Sequence, residues 1–88
     1  MSYRIELLPQ PRQALARLPH NIASRLVAAI EGLAEEPRPP GCVKLKGTPN
    51  AYRIRIGDYR VVYAIHDDRL VVLVIRVAHR KDVYRNLR

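Results

Sequence analysis

The chain has a single cysteine, Cys42, among its 88 residues. No intramolecular disulfide can form, which fits a reducing cytoplasm and excludes a small secreted scaffold stapled by disulfides. Cys42 also has no second cysteine or neighbouring histidine in sequence to suggest a metal or redox role. Phe and Trp are absent and five Tyr are the only aromatics, so the core must come mainly from Val, Ile, Leu and Ala. Long apolar runs are missing too. The longest, Leu70 to Ile75, is far shorter than the ~20 residues of a membrane-spanning helix. Arg4, Glu6 and Arg12 interrupt the first residues, so no apolar segment of a signal peptide is expected there. A cytoplasmic protein without a membrane role is the expectation.

Acidic residues are scarce: 8 Asp and Glu stand against 16 Lys and Arg, a net charge of +8. The imbalance is uneven. Over residues 1–36, Arg4, Arg12, Arg17 and Arg25 are cancelled by Glu6, Glu31, Glu35 and Glu36. All the excess therefore lies in residues 37–88, which points to a polyanionic partner met by the C-terminal half. Eighty-eight residues allow one modest core and one domain, spanning 1–88.

The patterning predicts an α+β fold in the order β-α-α-β-β-β-β. Ser2 to Leu8 reads as a first strand, with Tyr3, Ile5 and Leu7 on one face. Gln10 to Leu18 reads as a short helix with Pro11 in its first turn. A second helix is expected from His20-Asn21 to about Glu36, with Ile22, Leu26, Ile30 and Leu33 at helical spacing. Pro37-Arg38-Pro39-Pro40-Gly41 can only be a loop. A short strand from Cys42 to Lys46 follows, then a hairpin from Ala51 to His66, a turn at Asp67-Asp68, and a strand from Arg69 to Val77 that is apolar on both faces. Residues 81–88 read as a short terminal helical turn. The sheet is expected to be mostly antiparallel, with a helical hairpin covering one face.

The hairpin is the most informative stretch. With Gly57-Asp58 as the whole loop, Ile56 lies opposite Tyr59, Arg55 opposite Arg60 and Arg53 opposite Val62. Arg53, Arg55 and Arg60 then share one face, while Tyr52, Ile54, Ile56, Tyr59, Val61 and Tyr63 turn toward the core. Like charges opposite one another destabilise a sheet, so this face calls for an anion. The following strand runs antiparallel, bringing Ala78-His79-Arg80-Lys81 to the Arg55/Arg60 end, with Tyr84 within reach. Lys44 and Lys46 share a face of their own strand. Arginine forks and lysine charges bind phosphates, and a tyrosine ring stacks on an unpaired base.

These residues carry a family resemblance. Lys44-Leu45-Lys46-Gly47, Tyr52-Arg53-Ile54-Arg55, Gly57-Asp58-Tyr59-Arg60-Val61-Val62-Tyr63 and His79-Arg80-Lys81-Asp82-Val83-Tyr84 occur in order and at the spacings of the RelE/ParE toxin superfamily. The chain resembles its RelE branch over essentially its whole length. That resemblance implies the toxin of a type II toxin–antitoxin pair, an endoribonuclease that enters the ribosomal A site on the 30S subunit and cuts mRNA there. In the implied mechanism, which needs no metal or other cofactor, the ribose 2′-hydroxyl attacks the adjacent phosphate to leave a 2′,3′-cyclic phosphate and a 5′-hydroxyl. Carried over, Arg53 and Arg60 hold the scissile phosphate, Arg80 sits by the leaving oxygen, and Tyr84 stacks on a base. Lys44, Lys46 and Lys81 are further RNA-phosphate contacts. The resemblance also implies a RelB-like antitoxin whose C-terminal segment wraps the toxin, and contact with operator DNA only through that antitoxin.

Arg55 departs from the best-known members of the resembled family, which have a lysine there assigned as general base. A guanidinium, with a pKa above about 12, is a poor base. His79 is the alternative acceptor, since imidazole is the side chain suited to proton transfer near neutrality. Two other classes remain open: a gyrase-poisoning toxin of the ParE branch, and a non-catalytic nucleic-acid- or partner-binding module on the same scaffold. His20 and His66 read as helix-start and strand-end residues. Asp67, Asp68 and Asp82 are not placed to form a metal cage.

Overall fold

The computed structural model describes residues 2–82. Tyr84, and most of the terminal helical turn expected over 81–88, lie outside them. The described elements follow the expected order: β1 (Arg4–Leu7), α1 (Pro9–Arg17), α2 (His20–Gly32), β2 (Val43–Lys44), β3 (Ala51–Ile56), β4 (Tyr59–His66) and β5 (Val71–His79). They form one five-stranded sheet in the order β1-β5-β4-β3-β2. β1 runs parallel to β5, and the other neighbours are antiparallel. The chain leaves β1 at one edge and returns as β2 at the other, which draws the helical pair across a single face.

The core lies between that face and the helices. Leu26, Ile30 and Leu33 pack onto Ile54, Val61, Tyr63, Ile65, Val72, Val74 and Val77, all buried. Tyr52, Ile56 and Tyr59 border them. The expected inward face of the hairpin is therefore the observed one. Tyr63 is fully buried, and its hydroxyl donates to the Pro37 carbonyl at 2.7 Å. That bond satisfies the phenol and ties down the proline-rich loop. At the edge beyond β1, Gln10 Nε2 donates to the Val77 carbonyl (2.8 Å), and Gln10 Oε1 accepts from the Val77 N–H (2.9 Å). A neighbouring strand would supply the same pair of bonds.

Three boundaries differ from the sequence expectation. The second helix ends at Gly32, not near Glu36, because the bonds tighten to the i−3 pattern at Leu33 and Ala34. There the Tyr3 N–H also takes the Ala34 carbonyl at 2.7 Å, tying the helix end to the residue before β1. β2 is only two residues long. β5 begins and ends two residues later than expected, since the turn before it runs through Leu70, which takes a positive φ of 53°. A bulge between β4 and β5 pairs Val62 with Arg76 but Tyr63 with Val74. Ile75 is the extra residue.

Candidate functional site

Gly57 adopts φ +59°, and Asp58 does not share a positive φ, as a two-residue turn with glycine first requires. The turn fixes the register: Ile56 faces Tyr59, Arg55 faces Arg60, and Arg53 faces Val62. Arg53, Arg55 and Arg60 therefore share the face that the helices leave uncovered. Arg55 Nε donates to the Gly57 carbonyl at 3.2 Å, which draws its guanidinium toward the turn. The Arg80 N–H donates to the Asp58 carbonyl at 2.7 Å, so the chain leaving β5 is held beside the same turn.

The electrostatics register this convergence. Desolvation, and then the charges of Arg55, Arg53 and Arg80, hold the Arg60 guanidinium below its usual pKa, with Asp58 acting in the opposite direction. Arg60 is partly buried overall, and its Nη1 is buried without a hydrogen-bond partner. Four arginines thus meet at one end of the hairpin. A phosphodiester would relieve the repulsion and satisfy the orphaned donor together.

Two expected site residues face the other way. His79 pairs with Tyr59, and the residue opposite Arg60 is Ala78. The His79 ring meets Tyr59 edge-on at 5.5 Å between centroids, and its Nδ1 accepts from the Lys81 N–H at 3.3 Å. His79 accordingly lies on the helix side of the sheet, and the arginine face does not receive it as a base. Lys44 pairs with Tyr52, so Val43, not Lys44, is the residue opposite Arg53. Lys46 lies beyond β2 in the exposed loop, and Lys81 is exposed just past β5. One basic residue on the arginine face escaped the sequence reading. Arg76, opposite Val62, is the only charged residue between Leu70 and Ala78. That interruption of an otherwise apolar strand was its signal.

The family description matching residues 5–84 is that of the ParE toxin of type II toxin–antitoxin systems (parDE). The chain is similar to the toxin RelG of Mycobacterium tuberculosis, 33% identical over 86 residues that cover 97% of this chain and 99% of that protein. It is also similar to the mRNA interferase toxin RelE of Escherichia coli, 29% identical over 83 residues, 92% of this chain and 86% of that protein. Among solved structures, the archaeal RelE–RelB complex from Pyrococcus horikoshii superposes with a TM-score of 0.81 at 33% identity, covering 91% of this chain and 97% of that one. The chain belongs to the RelE/ParE toxin superfamily.

At the far end of this toxin's sheet a second polar cluster acts as a clamp. Arg38 makes a forked pair with Asp67, with Nη2 to Oδ2 at 2.9 Å and Nη1 to Oδ1 at 3.4 Å. Its Nε donates to the Tyr52 hydroxyl at 3.1 Å, and its guanidinium carbon lies 5.2 Å from the Tyr52 ring centroid. The Tyr3 hydroxyl donates to the same Asp67. Arg38 and Tyr3, both hydrogen-bonded to it, hold the Asp67 carboxyl below its usual pKa. The clamp joins the loop after α2 to β3, to the residue before β1 and to the β4–β5 turn. Because β2 covers only Tyr52 and Arg53, a groove of about 480 Å³ opens beside Ile54, Arg55 and Ile56 and is closed by Leu33 and Pro39 to Gly41. Among the described residues, no group of three or more His, Cys, Asp or Glu side chains could hold a metal, and no helix is long and apolar enough to cross a membrane.

Proposed function

We propose that this toxin is an endoribonuclease that cuts mRNA in the ribosomal A site. The observation that carries the reading is the convergence of Arg53, Arg55, Arg60 and Arg80 on one uncovered end of the sheet. Arg53 and Arg60 hold the scissile phosphate, and Arg80 meets the charge that develops on the leaving 5′-oxygen as the 2′-hydroxyl attacks. Arg55 and Arg60 lie directly opposite each other, so two guanidinium forks can address one phosphate. Donors fixed before reaction, and already crowded by like charge, stabilise a dianionic phosphorane more than the monoanionic substrate. Tyr84 stacks on a base.

Among the described residues, no histidine stands beside these arginines on this face. His79 points to the other side, and His66, six residues from Arg60 along β4, stands about 20 Å away. The rate enhancement proposed is therefore electrostatic, with mRNA orientation supplied by the ribosome. The interferase name of the Escherichia coli relative supports the activity. The archaeal complex supports a RelB-like antitoxin as the partner that holds this toxin inactive.

Primer extension on mRNA from cells expressing the chain tests the reading. Cuts at codon positions should appear with the parent and vanish in Arg53→Ala and Arg80→Ala. The family description favours one rival, a ParE-type gyrase poison. DNA damage with intact mRNA would decide for that rival.

A further inference from the structure

We propose that Arg76 forms a second phosphate subsite on this face, gripping the RNA strand one phosphate removed from the bond that is cut. The proposal rests on the RNA-cleaving reading above. Arg76 stands in a cross-sheet row with Val62 and Arg53, and it is a diagonal neighbour of Arg60 through Ala78. One strand, β4, lies between Arg76 and Arg53, so their backbones are two strand spacings, about 10 Å, apart. With Val62 between them, Arg76 and Arg53 are not direct cross-strand neighbours, unlike Arg55 and Arg60. Arg76 is also not among the charges acting most strongly on Arg60, which come from Arg55, Arg53 and Arg80. Its guanidinium therefore belongs to a separate place on the same face.

The environment of Arg76 suits a residue that binds an anion. It is partly buried in a strand that is otherwise apolar from Leu70 to Ala78, and its Nε is buried without a hydrogen-bond partner. Among the described residues no carboxylate pairs with it, and Glu6, the acidic residue of β1, is engaged by Arg4 at 2.9 Å. Val62, between Arg53 and Arg76, is only 2% exposed although neither α1 nor α2 covers this side. Long arginine stems flanking an apolar residue keep their heads at the surface while shielding it. A buried donor left unsatisfied costs stability. Phosphate oxygens are the acceptors that a strand of RNA laid along this face would bring.

The test uses the full chain with Arg76→Gln, Arg76→Lys and Arg76→Met. Binding of a single-stranded oligoribonucleotide is measured against salt, and cleavage of mRNA on programmed ribosomes is measured in parallel. Loss of one phosphate contact should lower the slope of log K on log salt by about 0.7. Arg76→Gln should weaken binding about ten-fold, raising KM and largely sparing kcat. Arg76→Lys should restore most of the slope, since a point charge suffices for a non-catalytic phosphate contact. Arg76→Met should fold with a melting temperature equal to the parent's or higher, because it removes an unsatisfied donor. An unchanged slope and KM in Arg76→Gln would overturn the proposal, as would a lowered melting temperature in Arg76→Met, which would mark a structural arginine. The two readings fail separately. A parent that cuts mRNA while Arg76→Gln matches it sinks only the subsite, and a parent that binds RNA through Arg76 without cutting sinks only the nuclease.

Discussion

Replacing Gly57 with alanine separates what the β3–β4 turn contributes to the site's geometry from what the core pairs contribute. Gly57 holds φ +59° at the first central position of the β3–β4 turn. A Cβ added there would meet nothing closer than the Arg25 guanidinium, at 3.8 and 3.9 Å, which is ordinary van der Waals contact at the end of a flexible side chain. The cost of Gly57→Ala is therefore confined to the backbone. Holding an L-residue in a left-handed conformation costs roughly 1–2 kcal/mol. For a domain of this size each kcal/mol lowers the melting temperature by about 4–8 °C. Asparagine tolerates this region better, so Gly57→Asn should lose clearly less.

The prediction for activity is the opposite one. Register in this hairpin is also set by the buried pairs Tyr52–Tyr63 and Ile54–Val61. A one-residue slip would turn every inward side chain to solvent. Gly57→Ala should therefore lose stability yet keep Arg55 opposite Arg60, and below its melting point it should cleave mRNA like the parent. Thermal unfolding followed by circular dichroism gives the first number, and primer extension gives the second. A melting temperature unchanged in Gly57→Ala would refute the positive φ. Destabilisation of the expected size accompanied by loss of cleavage would refute the claim that core pairs hold the arginines in register.

Other substitutions separate stability from function at single residues. Arg60→Met removes a like charge and a buried, unpartnered donor, so it should raise thermal stability while abolishing cleavage, with the gain shrinking as salt screens the remaining arginines. A fall in stability would contradict the repulsion. Tyr63→Phe keeps the ring but leaves the Pro37 carbonyl without its donor, a loss of about 1–2 kcal/mol in urea unfolding, and an effect within error of zero would show that the loop is anchored elsewhere. Asp67→Asn should destabilise at neutral pH. Because the folded carboxyl lies below its usual value, its contribution is complete above the unfolded pKa of about 3.9 and is lost as pH falls through the folded value. A difference from the parent that persists unchanged below that range would rule out the carboxylate as the source.

The hairpin was legible because one short turn fixes it. Gly57-Asp58 leaves a single register, and period-two alternation then assigns Arg53, Arg55 and Arg60 to one face and the tyrosines to the other. Legibility faded with distance from that turn. Lys44 sits on a two-residue edge strand separated from β3 by six residues, 45–50, so no turn chemistry determined which of its residues faces Arg53. β5 starts two residues later than its apolar pattern predicts because Leu70 takes a left-handed conformation that leucine does not advertise. Strand order brings His79 to the arginine end and offers it as the base there, but a strand end does not by itself show which face its last residue takes. Only the pairing of Ala78 with Arg60 reveals that its ring lies against Tyr59. The parallel pairing of β1 with β5 joins residues 4 and 71, a closure that local patterning does not encode.

Moving His79 to the helix side sharpens the chemical question that Arg55 raised. Among the described residues, no histidine stands beside the site arginines to remove a 2′-hydroxyl proton. The arginine face does have an unusual concentration of fixed positive charge, held in place by a glycine turn and a core that faces the opposite way. Such a surface is unfavourable for the isolated fold, since like charges sit on opposed strand positions and donors are buried without partners. The same features are favourable once a phosphodiester arrives, and more so as it gains charge in the transition state. On this argument the free toxin is less stable than its core alone would allow, and removing arginines should trade activity for stability one residue at a time. It also explains why positioning by the ribosome would be required. Electrostatic stabilisation alone acts only on a 2′-hydroxyl already aligned with its phosphate.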